Sequence, residues 1–279
     1  MSSSLLRAAD PMHIPEEPGL WFVFKAGELL LKDDSPLQGA KAVLGGLEPA
    51  YLLHLGSFEN TPIFAAEIAA DAVLEDTKPV SLRAAIPLLG DPLYGLAGYA
   101  FQALYWARTS AFCGTCGHTN GSIRRDLART CPNCGHTAYP RVSPAVLVVI
   151  QDGDKILLAR KPGWGKRYSI IAGFVDPQES LEECVVRETR EEVGLEVSDI
   201  EYLASQPWPF PHQLMVAFSA RFVGGALRLE EEELEDARWF RYDALPELPP
   251  PISLSRRVID AWAEERRKRL VEEGRKGSG

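Results

Sequence analysis

No stretch of this sequence approaches the ~18 consecutive apolar residues of a membrane-spanning helix, so no membrane partner is expected. Positive charge is also in short supply. Lys and Arg number 30 against 39 Asp and Glu, a net of −9 at neutral pH. That balance argues against broad nonspecific attachment to nucleic acid, which relies on basic surface, but it leaves room for a local basic pocket. The opening MSSSLLRAAD lacks the apolar core of a signal peptide, and the closing GRKGSG carries no SKL-type peroxisomal address, so a cytoplasmic protein is expected. Cysteine is sparse, at five in 279 residues, and four of the five fall in two pairs. No internal repeat is visible. What remains is ample for folding: 46% of residues are hydrophobic, and the length suits about two domains of ~150 residues.

Residues 173 to 195, GFVDPQESLEECVVRETREEVGL, carry the densest chemistry. Ser180 and Glu183 form an S-x-x-E capping box that starts a helix at about Leu181. Gly194 suits the left-handed residue that ends one. Between them, at about 100° per residue, Leu181, Val185, Val186, Thr189 and Val193 make an apolar stripe. Glu188, Glu191 and Glu192 fall on an adjoining arc, because residues three and four apart share a helix face. Carboxylates on one arc repel unless cations sit between them, and hard cations such as Mg²⁺ or Mn²⁺ take oxygen ligands. The plainer alternative is a solvated acidic face.

Two CxxC knuckles follow the same logic of spacing. Cys113, Cys116, Cys131 and Cys134 read as a four-cysteine Zn²⁺ site, closed and therefore structural. Two disulfides are the rival and would need an oxidising compartment. His118 and His136 each lie two residues past a knuckle and read as turn residues. Cys184, on the helix, reads as a small filler and not as a nucleophile. Further on, Ser205-Gln-Pro-Trp-Pro-Phe-Pro211 places three prolines in five residues, which stiffens an extended loop. Trp208 and Phe210 on such a loop could stack on a flat base, at roughly 1–3 kcal/mol per ring, or serve as buried anchors.

The 173–195 pattern resembles the signature of the Nudix hydrolases, which cleave a nucleoside diphosphate linked to another group. The matching positions are Gly173, Glu179, Arg187, Glu188, Glu191, Glu192, Gly194 and Leu195, with Thr189 where a larger aliphatic residue is usual. The SQPWPFP stretch, the Leu214-Met215 pair and the upstream knuckles narrow the resemblance to the bacterial NADH pyrophosphatases, with Gln213 where a serine is usual. It covers residues 100 to 262 well and residues 1 to 100 faintly.

The resemblance implies roles for residues. Glu179 and Arg187 would brace the loop against the helix. Glu188 and Glu192 would bind Mg²⁺ or Mn²⁺ together with the carbonyl of Ala172, and Glu191 would bind metal or orient water. Glu233, within the run of four glutamates at 230–233, would add a further ligand. Tyr139, Gln206, Pro207, Trp208, Pro209, Phe210, Pro211, His212, Gln213 and Ser255 would contact substrate, with Lys25 and Arg83 as weaker carry-overs. The implied chemistry is metal-assisted hydrolysis of a pyrophosphate, with a glutamate taking the proton of the attacking water. The zinc would take no part. A homodimer is likewise implied.

The organisation expected is α+β: an N-terminal domain over 1–108, a zinc ribbon over 109–140, a Nudix domain with a mixed sheet between helices over 141–250, a charged helix over 251–273 and a disordered tail over 274–279. Strands are expected near 20–24, 51–55, 63–66, 144–150, 155–159, 200–205, 214–223 and 237–242, and a helix over 96–111. Three functions fit: a pyrophosphatase acting on NADH or NAD⁺, the same cleavage on RNA bearing a 5′ NAD cap, or a zinc-ribbon regulator that binds nucleic acid and keeps a Nudix-like ligand domain. The last would be expected to have lost carboxylates, and all three box-helix glutamates are present.

Overall fold

The computed structural model describes residues 5–276, with side chains through Arg269. Contacts divide the chain into two compact units. The first runs to Arg141 and also takes in Pro209–Pro211; the second holds Val142–Trp208 and resumes at His212.

The first unit is built on β1 (Leu5–Arg7), β2 (Gly19–Lys25), β3 (Glu28–Leu31), β4 (Leu37–Gly39), β5 (Tyr51–Phe58), β6 (Thr61–Ile68) and β7 (Lys78–Ser81), followed by helix α1 (Ile86–Thr109). The sheet order is β1-β5-β6-β2-β3-β7, with β4 also paired to β2. β2 and β6 run parallel at its centre. Helix α1 begins ten residues before the expected 96 and is kinked where Gly90 takes φ 68°. One face of the sheet packs on α1 through Phe22, Phe24, Leu53, Ala97, Ala100 and Leu104. The other buries Trp21, Val23, Phe64 and Leu44, the last from a 3₁₀ turn at Lys41–Leu44. The ribbon residues expected over 109–140 cluster with this unit and contain β8 (Arg129–Thr130) and β9 (Thr137–Ala138).

The second unit contains β10 (Ser143–Asp152), β11 (Lys155–Arg160), β12 (Ile171–Phe174), helix α2 (Leu181–Val193), β13 (Leu195–Trp208), β14 (Gln213–Gly225), β15 (Asp236–Arg241) and helix α3 (Leu254–Lys276). Its order is β13-β14-β10-β11-β15, with β12 on β10. The central strand alternates cleanly. Val146, Val148 and Ile150 face a core shared with Cys184, Val185 and Val193 of α2. Leu147 and Val149 face Leu254, Val258, Ile259 and Trp262 of α3. A mixed sheet thus lies between two helices, as expected for the α+β fold. Helix α3 continues through residues 274–276, which had been expected to be disordered; residues 277–279 lie outside the described residues.

The sequence shows no internal repeat, yet β2 to β7 trace the same path as β10 to β15: a central parallel pair, a hairpin partner, a short strand doubled onto the centre, and an antiparallel outer strand on each side. A helix follows the last strand in each. Topology repeats while side chains do not, because a sheet needs only alternating burial. Where the second unit has α2, the first has a single 3₁₀ turn.

Both ends of α2 are as the sequence dictates. Ser180 and Glu183 form the reciprocal capping box, and Gly194 closes the helix at φ 70°. The buried face differs in part: Cys184 and Glu192 are buried, whereas Val186 is only half-buried. Thr189, at the position usually aliphatic, is fully buried with no partner for its hydroxyl. An orphaned buried hydroxyl costs free energy that an apolar group of the same shape does not. Thr189→Val should therefore raise stability by about 1 kcal/mol, read as a higher urea midpoint at unchanged slope.

Candidate active site

The loop from β12 into α2 is organised by one side chain. Arg187 donates from Nε to Glu179 Oε1 at 2.7 Å and from Nη2 to Glu179 Oε2 at 2.8 Å, a bidentate pair. Its Nη2 also reaches the Phe174 carbonyl at 2.8 Å. Its Nη1 donates to Glu188 and Glu191, each at 2.9 Å. Glu179 in turn accepts from the backbone of Asp176 at 2.9 Å, which closes the loop on itself. The guanidinium holds the Glu179 carboxyl down at about 2, against the cost of its burial. The brace expected of Glu179 and Arg187 is the geometry found.

Gly173 explains how Glu188 reaches the strand. A Cβ at Gly173 would lie 1.8 Å from the Glu188 carboxyl carbon, so only a glycine lets that carboxylate lie against the backbone next to Ala172. Burial pushes Glu188 above the ordinary carboxylate range; Arg187 opposes this, while Glu191 and Glu233 add repulsion.

Glu192 lies deepest, at 2% exposure. Burial pushes it up to about 7, Lys161 pulling the other way and Glu188 and Glu233 adding to the rise. Its Oε1 lies 3.4 Å from Lys161 Nζ, and its Oε2 has no partner. The same ammonium lies 3.5 Å from Glu233 Oε2. Glu188, Glu192 and Glu233 therefore share one electrostatic neighbourhood, fed by two helix positions and the segment before β15. Glu191 and Glu233 are the exposed members, with side chains 59% and 55% exposed. An all-oxygen donor set, an orphaned oxygen on a buried carboxylate and a glycine cradle beside it suit a hard divalent cation. Lys161 was not anticipated, because only the register of β11 against its neighbours brings the end of that strand to α2. The chemistry this cluster can do is bind hard cations and take protons. Cys184 plays no such role: it is fully buried, and burial pushes its thiol up to about 12.

The four knuckle cysteines converge. Among the described residues, theirs is the one group of three or more ligand side chains with all ligand atoms within 4.8 Å. Cys113 and Cys134 sulfurs are 3.7 Å apart, and those of Cys116 and Cys131 are 3.5 Å apart. A tetrahedron with Zn–S of ~2.3 Å has edges of about that length. All four are free thiols, which removes the disulfide alternative. The two knuckles are built alike. Cys113 and Cys131 donate backbone N–H groups to the carbonyls of His118 and His136, each at 2.8 Å, and Gly117 and Gly135 take φ of 73° and 74°. Both histidines are exposed turn residues, as expected. Backbone N–H groups pull the Cys113 and Cys116 thiols down, Cys116 to about 6, while, against the pull of the His136 N–H, the crowding sulfurs around Cys134 push it up to about 12.

The residues matched to substrate contacts are placed less uniformly. Pro207 and Trp208 end β13, where Trp208 pairs with Gln213 at the start of β14. Pro209–Pro211 cluster with the first unit. There Phe210 packs on the α1 core, with the Arg83 guanidinium 4.1 Å over its ring. One face of Phe210 is thereby taken. His212 Nδ1 lies 3.2 Å from Ser143 Oγ. The Gln206 amide is engaged at the start of α3, donating to Ile252 at 3.0 Å and accepting from Leu254 N–H at 2.8 Å. Ser255 is buried in the first turn of α3 and donates to Ser253. Tyr139 is exposed just past β9. Lys25 Nζ donates to the Ala72 carbonyl at 2.9 Å, a tie inside the first unit.

Comparison with known proteins agrees with this geometry. Residues 141–263 match the NUDIX domain, residues 108–139 the NADH pyrophosphatase zinc ribbon domain, and residues 18–106 the NADH pyrophosphatase-like rudimentary NUDIX domain. The last lies within the first unit and covers the repeated topology that lacks the box helix. The NAD-capped RNA hydrolase NudC of Stutzerimonas stutzeri is 40% identical over 90% of this chain and 92% of its own length. That of Deinococcus radiodurans is 40% identical over 90% of each. The chain belongs to the zinc-ribbon branch of the Nudix hydrolase family. It is thus a hydrolase and not a regulator with a retired ligand domain. As a Nudix hydrolase it carries its box carboxylates in the second unit alone, since the rudimentary first unit has none in its 3₁₀ turn.

Two outcomes follow. Protein purified without chelators should contain one Zn²⁺ per chain by elemental analysis, and Cys131→Ser should lose it and lower Tm, because structural zinc contributes directly to folding. The second concerns pH. Glu192 ionises near 4.5 when unfolded and near 7 when folded. Between those values the folded state holds more protons, so stability falls as pH rises through that window. Zinc-loaded protein without Mg²⁺ or Mn²⁺ should lose on the order of 3 kcal/mol there, and Glu192→Gln should flatten that slope in thermal melts from pH 4.5 to 8.

Proposed function

We propose that this chain hydrolyses the pyrophosphate bond of NAD-type dinucleotides, giving AMP and nicotinamide mononucleotide. The observation that carries the reading is the carboxylate cluster of buried Glu192, half-buried Glu188 and exposed Glu233, with Glu188 braced by Arg187, in a chain of this family. Glu188, Glu192, Glu233 and the Ala172 carbonyl would hold Mg²⁺ or Mn²⁺. A divalent ion bound there would neutralise phosphate charge and make a water nucleophilic near neutral pH. The protein's own contribution is positional. Arg187 fixes Glu188 and Glu191 against the loop, and Glu191, exposed at the end of that brace, orients the attacking water and takes its proton. The stiff 206–213 segment presents Trp208 to a base, while Phe210 anchors the loop. Tyr139, Ser255, Lys25 and Arg83 support this binding in the same reading. We include a cytoplasmic location and a homodimer in it; among the described residues no helix is long and apolar enough to cross a membrane.

Product analysis on NADH, NAD⁺, ADP-ribose and NAD-capped RNA tests the substrate class. AMP and nicotinamide mononucleotide should appear from NADH or NAD⁺ in the presence of Mg²⁺ or Mn²⁺. Glu192→Gln should lower the rate by several orders of magnitude while its melt shows an intact fold. Turnover near the wild-type rate in that variant would remove Glu192 from the machinery.

A specific surface feature favours capped RNA as a further substrate, the one acted on by the relatives named above. Arg7, Arg124 and Arg125 line a concavity of about 540 Å³ with a single acidic residue, Asp126. Asp126 is already paired with Arg124, and Arg124 also donates to Thr130 Oγ1 at 3.2 Å. Two positive charges remain in a chain of net −9, and arginine forks suit phosphodiester oxygens. The double variant Arg124→Gln, Arg125→Gln should slow decapping of long RNA at low salt and leave NADH turnover unchanged. Equal loss on both substrates would remove the RNA role of this concavity.

A further inference from the structure

Two cations serve the carboxylate cluster, and they are bound in different ways. Arg187 holds Glu179, Glu188 and Glu191 by contacts of 2.7–2.9 Å. Those are full charge-assisted hydrogen bonds. Lys161 instead lies 3.4 Å from Glu192 and 3.5 Å from Glu233, each beyond that range. It is placed there by β11, which it follows directly, while Pro162 turns the chain away. Its side chain is 35% exposed, so the ammonium has a route to solvent that Glu192, with a side chain 3% exposed, does not.

We infer that Lys161 is the resident counter-cation of buried Glu192 and the exposed Glu233 beside it, a positioning residue that holds the two together and gives way when a divalent ion binds. The inference rests on the metal reading above. A buried carboxylate without a partner is costly, and breaking a buried pair leaves that cost uncovered. Arg187 cannot serve Glu192 without surrendering the loop. Lys161 is therefore what lets the deep site form ahead of its ion. One ammonium faces two carboxylates, and Glu192 keeps an oxygen with no partner, so the pair stays short of positive charge. A dication meets that demand better than a lysine does. The loose contacts mean that few strong hydrogen bonds must break when Lys161 leaves. Lys161 thus sets how tightly the metal is held, and keeps it exchangeable.

The test measures metal binding rather than turnover. Mn²⁺ affinity is read by electron paramagnetic resonance on the zinc-loaded full chain, without substrate, at about pH 8.5. Wild type is compared with Lys161→Met, Lys161→Gln and Lys161→Arg. Removing a like charge from beside the ion should tighten Mn²⁺ binding at least about tenfold in the Met and Gln variants. The Arg variant should stay near wild type. Without Mn²⁺, the Met variant should melt below wild type, and saturating Mn²⁺ should close the gap. In a Glu192→Gln background the Lys161 effect should vanish. Unchanged or weaker Mn²⁺ affinity in both uncharged variants would overturn the inference while leaving the metal site standing. Wild type that binds no Mn²⁺ would overturn the metal reading and this inference with it.

Discussion

The site depends on keeping several carboxylates in a space too small for their mutual repulsion. Glu179, Glu188, Glu191, Glu192 and Glu233 would spread apart if each were solvated alone. Arg187 prevents this on the loop side, reading three carboxylates and a backbone carbonyl with one planar fork. A lysine could not make that set of contacts, since its point charge lacks the fixed directions of a guanidinium. Three features of the second unit serve this arrangement. The capping box fixes where α2 starts, Gly173 lets Glu188 touch the strand, and the apolar side of α2 sinks Glu192 to a depth at which it needs a cation.

The first unit shows the same scaffold without that problem. Its sheet follows the path of the second, and its closing helix packs on the corresponding face. It replaces the box helix with a short turn that supplies Leu44 to a purely apolar cluster. The comparison separates what the fold requires from what the chemistry requires. Alternating strands and a covering helix are enough to fold. The helix between β12 and β13 is the added part, and it brings Glu188, Glu191 and Glu192 together with Arg187.

Local rules made much of this legible from residues alone. A capping box, a left-handed glycine and a carboxylate arc are short-range features, and α2 has all three. The knuckles were legible because ligand spacing within a tight turn is fixed by the backbone. What the residues hid is what packing decides. Glu188, Glu191 and Glu192 shared one arc, and their depths were not legible: the helix rolls so that Cys184 and Glu192 turn inward and Val186 turns partly out. Lys161 carried no signal, since its meaning comes from a strand end meeting a helix. Phe210 matched a substrate motif, but its ring lies under Arg83 and against the core of the first unit. Gln206 matched the same motif, and its amide is bound to the start of α3. The repeated topology was invisible because it is written in strand order and not in side chains.

The Gln206 amide makes two bonds to the turn that opens α3, far along the chain from the strand it sits on. That pair works as a mechanical tie rod between the segment leading to Trp208 and a helix whose outer half is almost wholly charged. The acceptor and donor it uses are the backbone groups a helix start would otherwise offer to water. Fraying of that first turn would therefore slacken the strand end that leads into the proline-rich loop, with every carboxylate still in place. In the proposed reading, the turn that opens α3 can in this way loosen the hold of Trp208 on a base without touching a carboxylate.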